Sequence, residues 1–166
     1  MIALPEAISI AGRVGISMRD PLFQKLMVET QAAMEEALDR TLGNEDSRMI
    51  LCHRGTLDPL AYWLDRGWSK HEFFALTETQ CEDHYQRYAA VIHLVTAADG
   101  ALQAYKRWPN AHRPEEPADA IRLDRLLEQV WSGHSKYYRI DNQERNWMAK
   151  FEEAQAIIES LLSLVE

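Results

Sequence analysis

The sequence predicts an α/β fold, in which a parallel sheet is covered by helices on both faces. Short strand-like segments alternate along the chain with longer segments that have the apolar periodicity of helices, as in folds built from strand–helix–strand units. One strand-like segment, AAVIHLVT, is almost continuously apolar, which is typical of a strand in the middle of a parallel sheet. The 166 residues contain no repeat, low-complexity tract or long linker, so we expect one domain over residues 1–166.

Local signals place the individual elements. The predicted strands are Met1–Leu4, Arg48–Cys52, Tyr88–Thr96 and Lys136–Ile140. The first long helix is the clearest, because Asp20 can cap it, Pro21 suits its first position, and Gly43–Asn44 can end it. Further helices are predicted from about Asp58 to Arg66, after the capping box Ser69–Glu72, up to Trp108, from about Ala118 to Ser132, and from Arg145 to Val165.

Composition and charge predict a soluble, cytoplasmic protein. The net charge of -8 disfavours a broad nucleic-acid-binding surface. No apolar run approaches the roughly 20 residues that span a bilayer, and the first residues lack the basic region and apolar core of a signal peptide. The two cysteines, Cys52 and Cys81, form no CxxC pair, which fits a reducing compartment. We therefore expect neither a nucleic acid nor a membrane as a partner.

Polar residues follow every predicted strand. Glu6 follows the first strand, HRGTLD (His53–Asp58) the second, TAADG (Thr96–Gly100) the third and Asp141–Asn142 the fourth. A parallel sheet brings the carboxyl ends of its strands to one rim, and carboxylates, arginine and histidine together suit phosphoryl transfer. The alternative is that polar strand ends are a general feature of α/β proteins.

Seven short motifs occur in an order that is characteristic of one protein family. They are LPEA (Leu4–Ala7), FQKLMVETQ (Phe23–Gln31), ILCHRGTLDPLAY (Ile50–Tyr62), RYAAVIHLVTAADGA (Arg87–Ala101), a YxxxxNxxR run (Tyr105–Arg113), LDRLLEQVWSGH (Leu123–His134) and RIDN (Arg139–Asn142). From about Leu4 to Leu162 the chain resembles the later part of the small AAA-type ATP/GTP-binding P-loop family, close to nicotinamide-riboside-kinase-like and nucleoside-kinase-like proteins. The resemblance implies a P-loop-kinase-like sheet, ATP or GTP with Mg²⁺ as the cofactor of an intact homologue, and a small-molecule substrate that the motifs do not identify.

Two departures from the family pattern bear on activity. The family opens with a GxxxxGK[ST] loop that cradles the nucleotide phosphates, whereas GRVGISMRD (Gly12–Asp20) contains no GK[ST]. His53 stands where the family has an aspartate, and histidine is a poor ligand for Mg²⁺, so no metal ligand is predicted. We therefore expect an N-terminally truncated or degenerate P-loop ATPase or small-molecule-kinase-like domain, inactive as this chain and without a tightly bound nucleotide. The alternatives are a non-catalytic pseudoenzyme that acts as a binding or dimerisation module and a metal-dependent hydrolase built on His53 and Asp58.

The resemblance also implies roles for individual residues near the start of the chain. Glu6 is the predicted general base toward a substrate hydroxyl, or else an exposed glutamate at a helix start. Asp58 is the second predicted catalytic residue, with helix capping as its alternative. Arg54 is predicted to bind a phosphate, unless it is only the partner in a structural ion pair.

Residues from the second half of the chain complete the predicted nucleotide site. Lys106, Arg107 and Arg113 are expected to bind phosphate from a lid at about residues 105–118, and the alternative is a solvated basic surface. Asn142 is expected to contact the nucleotide, although asparagine is also a common turn residue.

The resemblance finally predicts an unusual sheet. In the family the strand before the phosphate loop lies between the strand ending at Cys52 and the strand at Val91–Val95. Without that strand we expect these two strands to close on each other. A homodimer through the exposed strand edges is the second expectation, because unpaired edges favour pairing with another chain, and an open gap is the third.

Overall fold

The computed structural model describes residues 2–8, 15–43, 49–107, 116–143 and 146–163, with the backbone alone for residues 106 and 107. The elements, numbered in chain order, are β1 (Ile2–Leu4), α1 (Pro21–Leu42), β2 (Ile50–Cys52), α2 (Asp58–Asp65), α3 (Lys70–Thr77), α4 (Cys81–Tyr85), β3 (Val91–Leu94), α5 (Leu102–Arg107), α6 (Pro117–Trp131), β4 (Tyr137–Ile140) and α7 (Trp147–Leu162). The strands pair in parallel and alternate with helices, so the predicted α/β class is confirmed. No helix in the described ranges is long and apolar enough to cross a membrane.

The chain forms two compact units, Met1–Arg87 and Tyr88–Val165. In the first unit β1 pairs with β2 in the register Ile2 to Ile50 and Leu4 to Cys52. Helix α1 begins as predicted, because the Asp20 side chain accepts a hydrogen bond from the Leu22 amide at 2.9 Å. The core of this unit includes Leu57, Leu60, Trp63 and Phe73 from α2, α3 and the loop before α2, together with Phe23 and Val28 from α1.

The second unit is built on the β3–β4 pair. Val91 lies opposite Tyr137 and Leu94 opposite Ile140 in a parallel register. Helix α6 contributes Leu127, Val130 and Trp131 to its core, and the Trp131 ring meets the Tyr88 ring edge-on at 5.3 Å.

The predicted closure of the sheet is wrong for the described residues. The strand that ends at Cys52 and the strand at Val91–Val95 belong to different sheets, each of two strands. Each strand has its parallel partner within its own unit, β1 for β2 and β4 for β3. The expectation of a single domain over residues 1–166 stays a prediction.

Candidate functional site

The first unit brings four of the predicted residues together at the ends of its two strands. Arg54 lies 3.6 Å from Glu6 through Nε and Oε1, and 3.2 Å from Asp58 through Nη1 and Oδ2. His53 Nε2 lies 3.3 Å from the same Glu6 oxygen. We call these residues, Glu6, His53, Arg54 and Asp58, the Arg54 corner. One residue follows β1, two follow β2 and the fourth opens α2, so the parallel pairing of β1 with β2 brings Glu6 to the other three.

The backbone of the Arg54 corner is strained at one position. Arg54 has φ 80, in the left-handed region that residues other than glycine seldom adopt. Such a conformation costs on the order of 1–3 kcal/mol and persists where surrounding contacts hold it. Here the Gly55 amide donates to Asp58 Oδ1 at 3.3 Å, and the Asp58 amide donates to the Gly55 carbonyl at 3.1 Å. The turn thus aims the Arg54 side chain between the two carboxylates.

The side chains of the Arg54 corner differ in their exposure to solvent. Asp58 keeps 12% of its side-chain surface, Glu6 25% and Arg54 30%, whereas His53 keeps 66%. Burial by itself lowers the pKa of the Arg54 guanidinium, but the charges of Asp58, Tyr62 and Glu6 outweigh it and raise that pKa above its usual range. Arg54 is therefore always charged, and its side chain keeps 30% of its surface exposed.

Asp58 does not act as the helix cap that was its alternative role. Leu57 occupies the cap position of α2 and makes no side-chain capping bond. Asp58 is the first residue of the helix, and its two oxygens accept from Arg54 and from the Gly55 amide. Its predicted part in catalysis stays a prediction, and its contacts are those of a residue that orients Arg54.

A buried histidine, His84, is hydrogen-bonded to the loop of the Arg54 corner through Thr56. His84 Nδ1 and Nε2 each lie 2.9 Å from a threonine hydroxyl, that of Thr56 and that of Thr79. Burial is the main cause that lowers the pKa of His84 to about 4, with Asp83 acting in the opposite direction and Arg87 in the same one. The ring is therefore neutral at pH 7 and needs no counter-ion. Sequence reasoning missed this contact, because nothing local relates two residues that are 28 positions apart.

A second buried group fixes the end of β2 to α1. Glu35 accepts from Gln31 at 2.8 Å and pairs with Arg87 at 3.0 Å. The Cys52 thiol also bonds to Glu35, and burial, reinforced by the Glu35 charge, raises the pKa of Cys52 to about 12. This thiol is consequently protonated and inert at neutral pH. The role of this group is structural, because it holds β2, the strand that leads into the Arg54 corner.

In the second unit Asn142 closes the loop after β3. Its amide nitrogen donates to the carbonyls of Val95, Thr96 and Asp99 at 3.3, 2.8 and 2.7 Å. Its amide oxygen accepts from Lys150 Nζ at 2.9 Å. The Asn142 side chain therefore hydrogen-bonds to the loop after β3 and to Lys150. Its predicted contact with a nucleotide stays a prediction.

A lysine and two carboxylates complete the polar network of the second unit. Lys150 is 5% exposed, and its burial lowers its pKa while the charges of Asp124 and Asp141 oppose that effect. Asp124 accepts from the Thr96 amide at 2.9 Å and lies 3.3 Å from His93 Nε2. His93 itself lies in β3 with only 9% of its surface exposed, and Asp124 is its hydrogen-bond partner. The network ties β3 to α6 and α7.

The side chains of the three predicted lid residues lie outside the described part of the structure. Arg113 lies outside the described residues, and the structure describes only the helical backbone of Lys106 and Arg107, at the end of α5. Their predicted role in binding phosphate stays a prediction.

Comparison with known families agrees with the fold and with the motifs. A family profile described as AAA domain matches residues 11–150, which is most of the chain. The chain belongs to the AAA domain family. This AAA domain is therefore a P-loop NTPase-like domain of the nucleotide-binding class, with an α/β fold built on short parallel sheets. No curated protein and no solved structure matches the chain.

Proposed function

We propose that this AAA domain is a small-molecule-kinase-like, ATP- or GTP-binding domain and that residues 1–166 alone are catalytically inactive. The observation that carries the kinase-like part is the position of Arg54 between Glu6 and Asp58. The inactive part rests on the printed sequence, which contains no GxxxxGK[ST] segment. Since that segment supplies most backbone contacts to nucleotide phosphates, we expect the chain to bind nucleotides weakly. The two free cysteines fit a cytoplasmic setting.

The contacts of the Arg54 corner suit phosphoryl transfer to a hydroxyl group. Arg54 can neutralise charge on a phosphate, because guanidinium groups bind phosphate oxygens in a forked geometry. Glu6 is the carboxylate of the corner with more exposed surface, and it can accept the proton of a substrate hydroxyl. Asp58 holds Arg54 in place. A bound nucleotide with Mg²⁺ would supply the phosphoryl group.

The corner fits a phosphate group better than it fits a metal ion. Within the described ranges no group of three or more histidine, cysteine, aspartate or glutamate side chains is arranged to hold a metal. Mg²⁺ is commonly bound by one or two carboxylates together with substrate phosphates and water, and no residue of the corner is proposed as its ligand. Lys106, Arg107 and Arg113 remain the proposed lid, and Asn142 the proposed contact of the second unit.

Titration calorimetry with Mg·ATP and with Mg·GTP tests the proposal. We expect dissociation constants weaker than about 100 μM, since Arg54 alone replaces a cradle of several amides and a lysine. Arg54→Gln should abolish the residual binding, whereas Arg40→Gln, at an exposed position of α1, should leave it unchanged. A low-micromolar dissociation constant for either nucleotide would contradict the proposal. The upstream coding sequence separates truncation from degeneracy, because a strand followed by GxxxxGK[ST] before Met1 identifies truncation.

A non-catalytic binding or dimerisation module is the second candidate function. The observation in its favour is that each strand of the described ranges pairs on one side only, and unpaired edges are templates for another chain. Leu94, at the end of β3, keeps 43% of its surface exposed. If two chains pair through β3, light scattering should give a dimer, and Leu94→Lys should convert it to a monomer. Leu102→Lys is the control, because Leu102 is equally exposed but lies in α5. A monomer at all concentrations up to about 1 mM would exclude this function.

A further inference from the structure

A cleft of about 420 Å³ opens in the first unit, away from the Arg54 corner, and is lined by Arg19, Asp65, Arg66 and Trp68. We call it the Trp68 cleft. Its volume lies within the range of small-molecule sites, about 300–1,000 Å³. It begins where α2 ends, and the eight residues of α2 separate it from Asp58 by about 12 Å along the helix axis. The Trp68 cleft is therefore distinct from the Arg54 corner.

The arginine wall of the Trp68 cleft is fixed before any ligand binds. Arg66 Nη1 donates to the Tyr62 carbonyl at 2.8 Å and Nη2 donates to the Met18 carbonyl at 2.7 Å. These two bonds hold the segment before α1 against the end of α2 and leave other N–H groups of the guanidinium for a ligand. The guanidinium carbon also lies 5.6 Å from the centre of the Trp68 ring. The Arg66 guanidinium and the Trp68 indole are thus held next to each other in fixed positions.

The aromatic wall is fixed by packing. The Trp63 ring meets the Trp68 ring edge-on, with 4.7 Å between the ring centres. Trp63 is itself anchored, because its indole N–H donates to the Ser69 carbonyl at 2.8 Å. Trp68 is half-buried: Trp63 and Arg66 hold part of its indole, and the exposed part can contact a planar ring.

A second arginine gives the cleft its charge preference. Arg19 is exposed, and no carboxylate within the described ranges pairs with its side chain. Among the described lining residues there are two arginines and one aspartate, Asp65, which is a net positive charge in a protein whose overall net charge is -8. A local positive site on an acidic protein selects anions.

We propose that the Trp68 cleft binds a planar aromatic anion, with the ring stacked on Trp68 and the anionic group between Arg19 and Arg66. This site is independent of the proposed kinase-like function, since it shares no residue with the Arg54 corner.

Phenyl phosphate is the probe for this proposal. Phenol and inorganic phosphate, which each carry one of its two chemical groups, are tested separately for comparison. The indole N–H signal of Trp68 in NMR spectra, assigned with Trp68→Phe, should shift saturably with phenyl phosphate. Each half alone should bind at least about tenfold more weakly, because stacking on an aromatic side chain and charge pairing each contribute about that much. A shift with phosphate alone that equals the shift with phenyl phosphate would overturn the aromatic part of the proposal.

Matched variants locate the binding. Trp68→Ala and Arg19→Ala should each weaken phenyl phosphate binding in calorimetry by about tenfold, whereas Trp147→Ala should have no effect. Trp147 is the control because it is 67% exposed and lies on α7. Arg40→Gln, at an exposed position of α1, should also leave the affinity unchanged. If Arg54→Gln abolishes binding and Arg19→Ala does not, the anion binds at the Arg54 corner and the proposed cleft site is wrong.

Discussion

Protonation of His84 should destabilise the first unit of this protein. The ring is 2% exposed and its pKa is lowered from 6.5 to about 4, mainly by burial. A base with a lowered pKa in the folded state binds its proton more readily when the chain unfolds, so stability is fully present above pH 6.5 and is lost as the pH falls toward 4. Each pH unit within this window is worth at most about 1.4 kcal/mol. The loss is then about 2 kcal/mol by pH 5 and about 3 kcal/mol at pH 4 and below.

Urea unfolding at pH 7.5 and at pH 5.0, followed by tryptophan fluorescence, measures this loss. His84→Gln removes the titrating group and keeps polar atoms near Thr56 and Thr79, so the pH-dependent loss should shrink by about 2 kcal/mol relative to the wild type. The variant should also be less stable at pH 7.5, because at least one threonine bond is lost. His71→Gln is the control, since His71 is exposed on α3. Equal losses in the wild type and in His84→Gln would refute the assignment of the acid sensitivity to this ring.

Four further changes test other parts of the structure. Arg54→Gly should be more stable than Arg54→Ala by about 1 kcal/mol in urea unfolding, because only glycine accepts φ 80 without strain. Asn142→Ala should lower the unfolding free energy by about 2–3 kcal/mol, since three carbonyls and a buried lysine each lose one hydrogen bond; an effect below about 0.5 kcal/mol would contradict this. In native protein, Cys52 should react with a thiol reagent far more slowly than Cys81, because burial raises the Cys52 pKa to about 12. His53→Asp alone should produce no ATP turnover, as the phosphate cradle is still missing; measurable turnover would refute our explanation of inactivity.

Helix ends could be predicted from the sequence because their causes are local. Asp20 and Pro21 start α1 as expected, and Ser69 with Glu72 forms the expected capping box at the start of α3. Each of these contacts spans at most three residues, so the printed sequence contains both partners. The Arg54 corner could be predicted in part for the same reason, since Arg54 and Asp58 are four positions apart.

The supporting networks could not be predicted, because their partners meet only through the tertiary fold. Lys150 reaches the loop after β3 from the first turn of α7, although it reads as an ordinary surface lysine in the sequence. Gly100 is informative only once the fold is known: it has φ 89, and a Cβ atom there would lie 3.2 Å from the Asn142 Cβ atom. The prediction that two strands close on each other failed because pairing depends on which partner each strand finds in space.

The strain at Arg54 helps to choose between its two predicted roles. A purely structural ion pair can be made by an arginine in ordinary backbone conformation, and a left-handed turn is most easily made by glycine, which already follows at position 55. An arginine at the strained position costs free energy, which its ion pairs with Glu6 and Asp58 must offset. These pairs contribute little net stability, because about 30% of the Arg54 side chain is exposed to solvent. Strained non-glycine residues concentrate at functional sites. The conformation therefore favours the phosphate-binding role, in which the turn holds a permanently charged, 30% exposed guanidinium between Glu6 and Asp58.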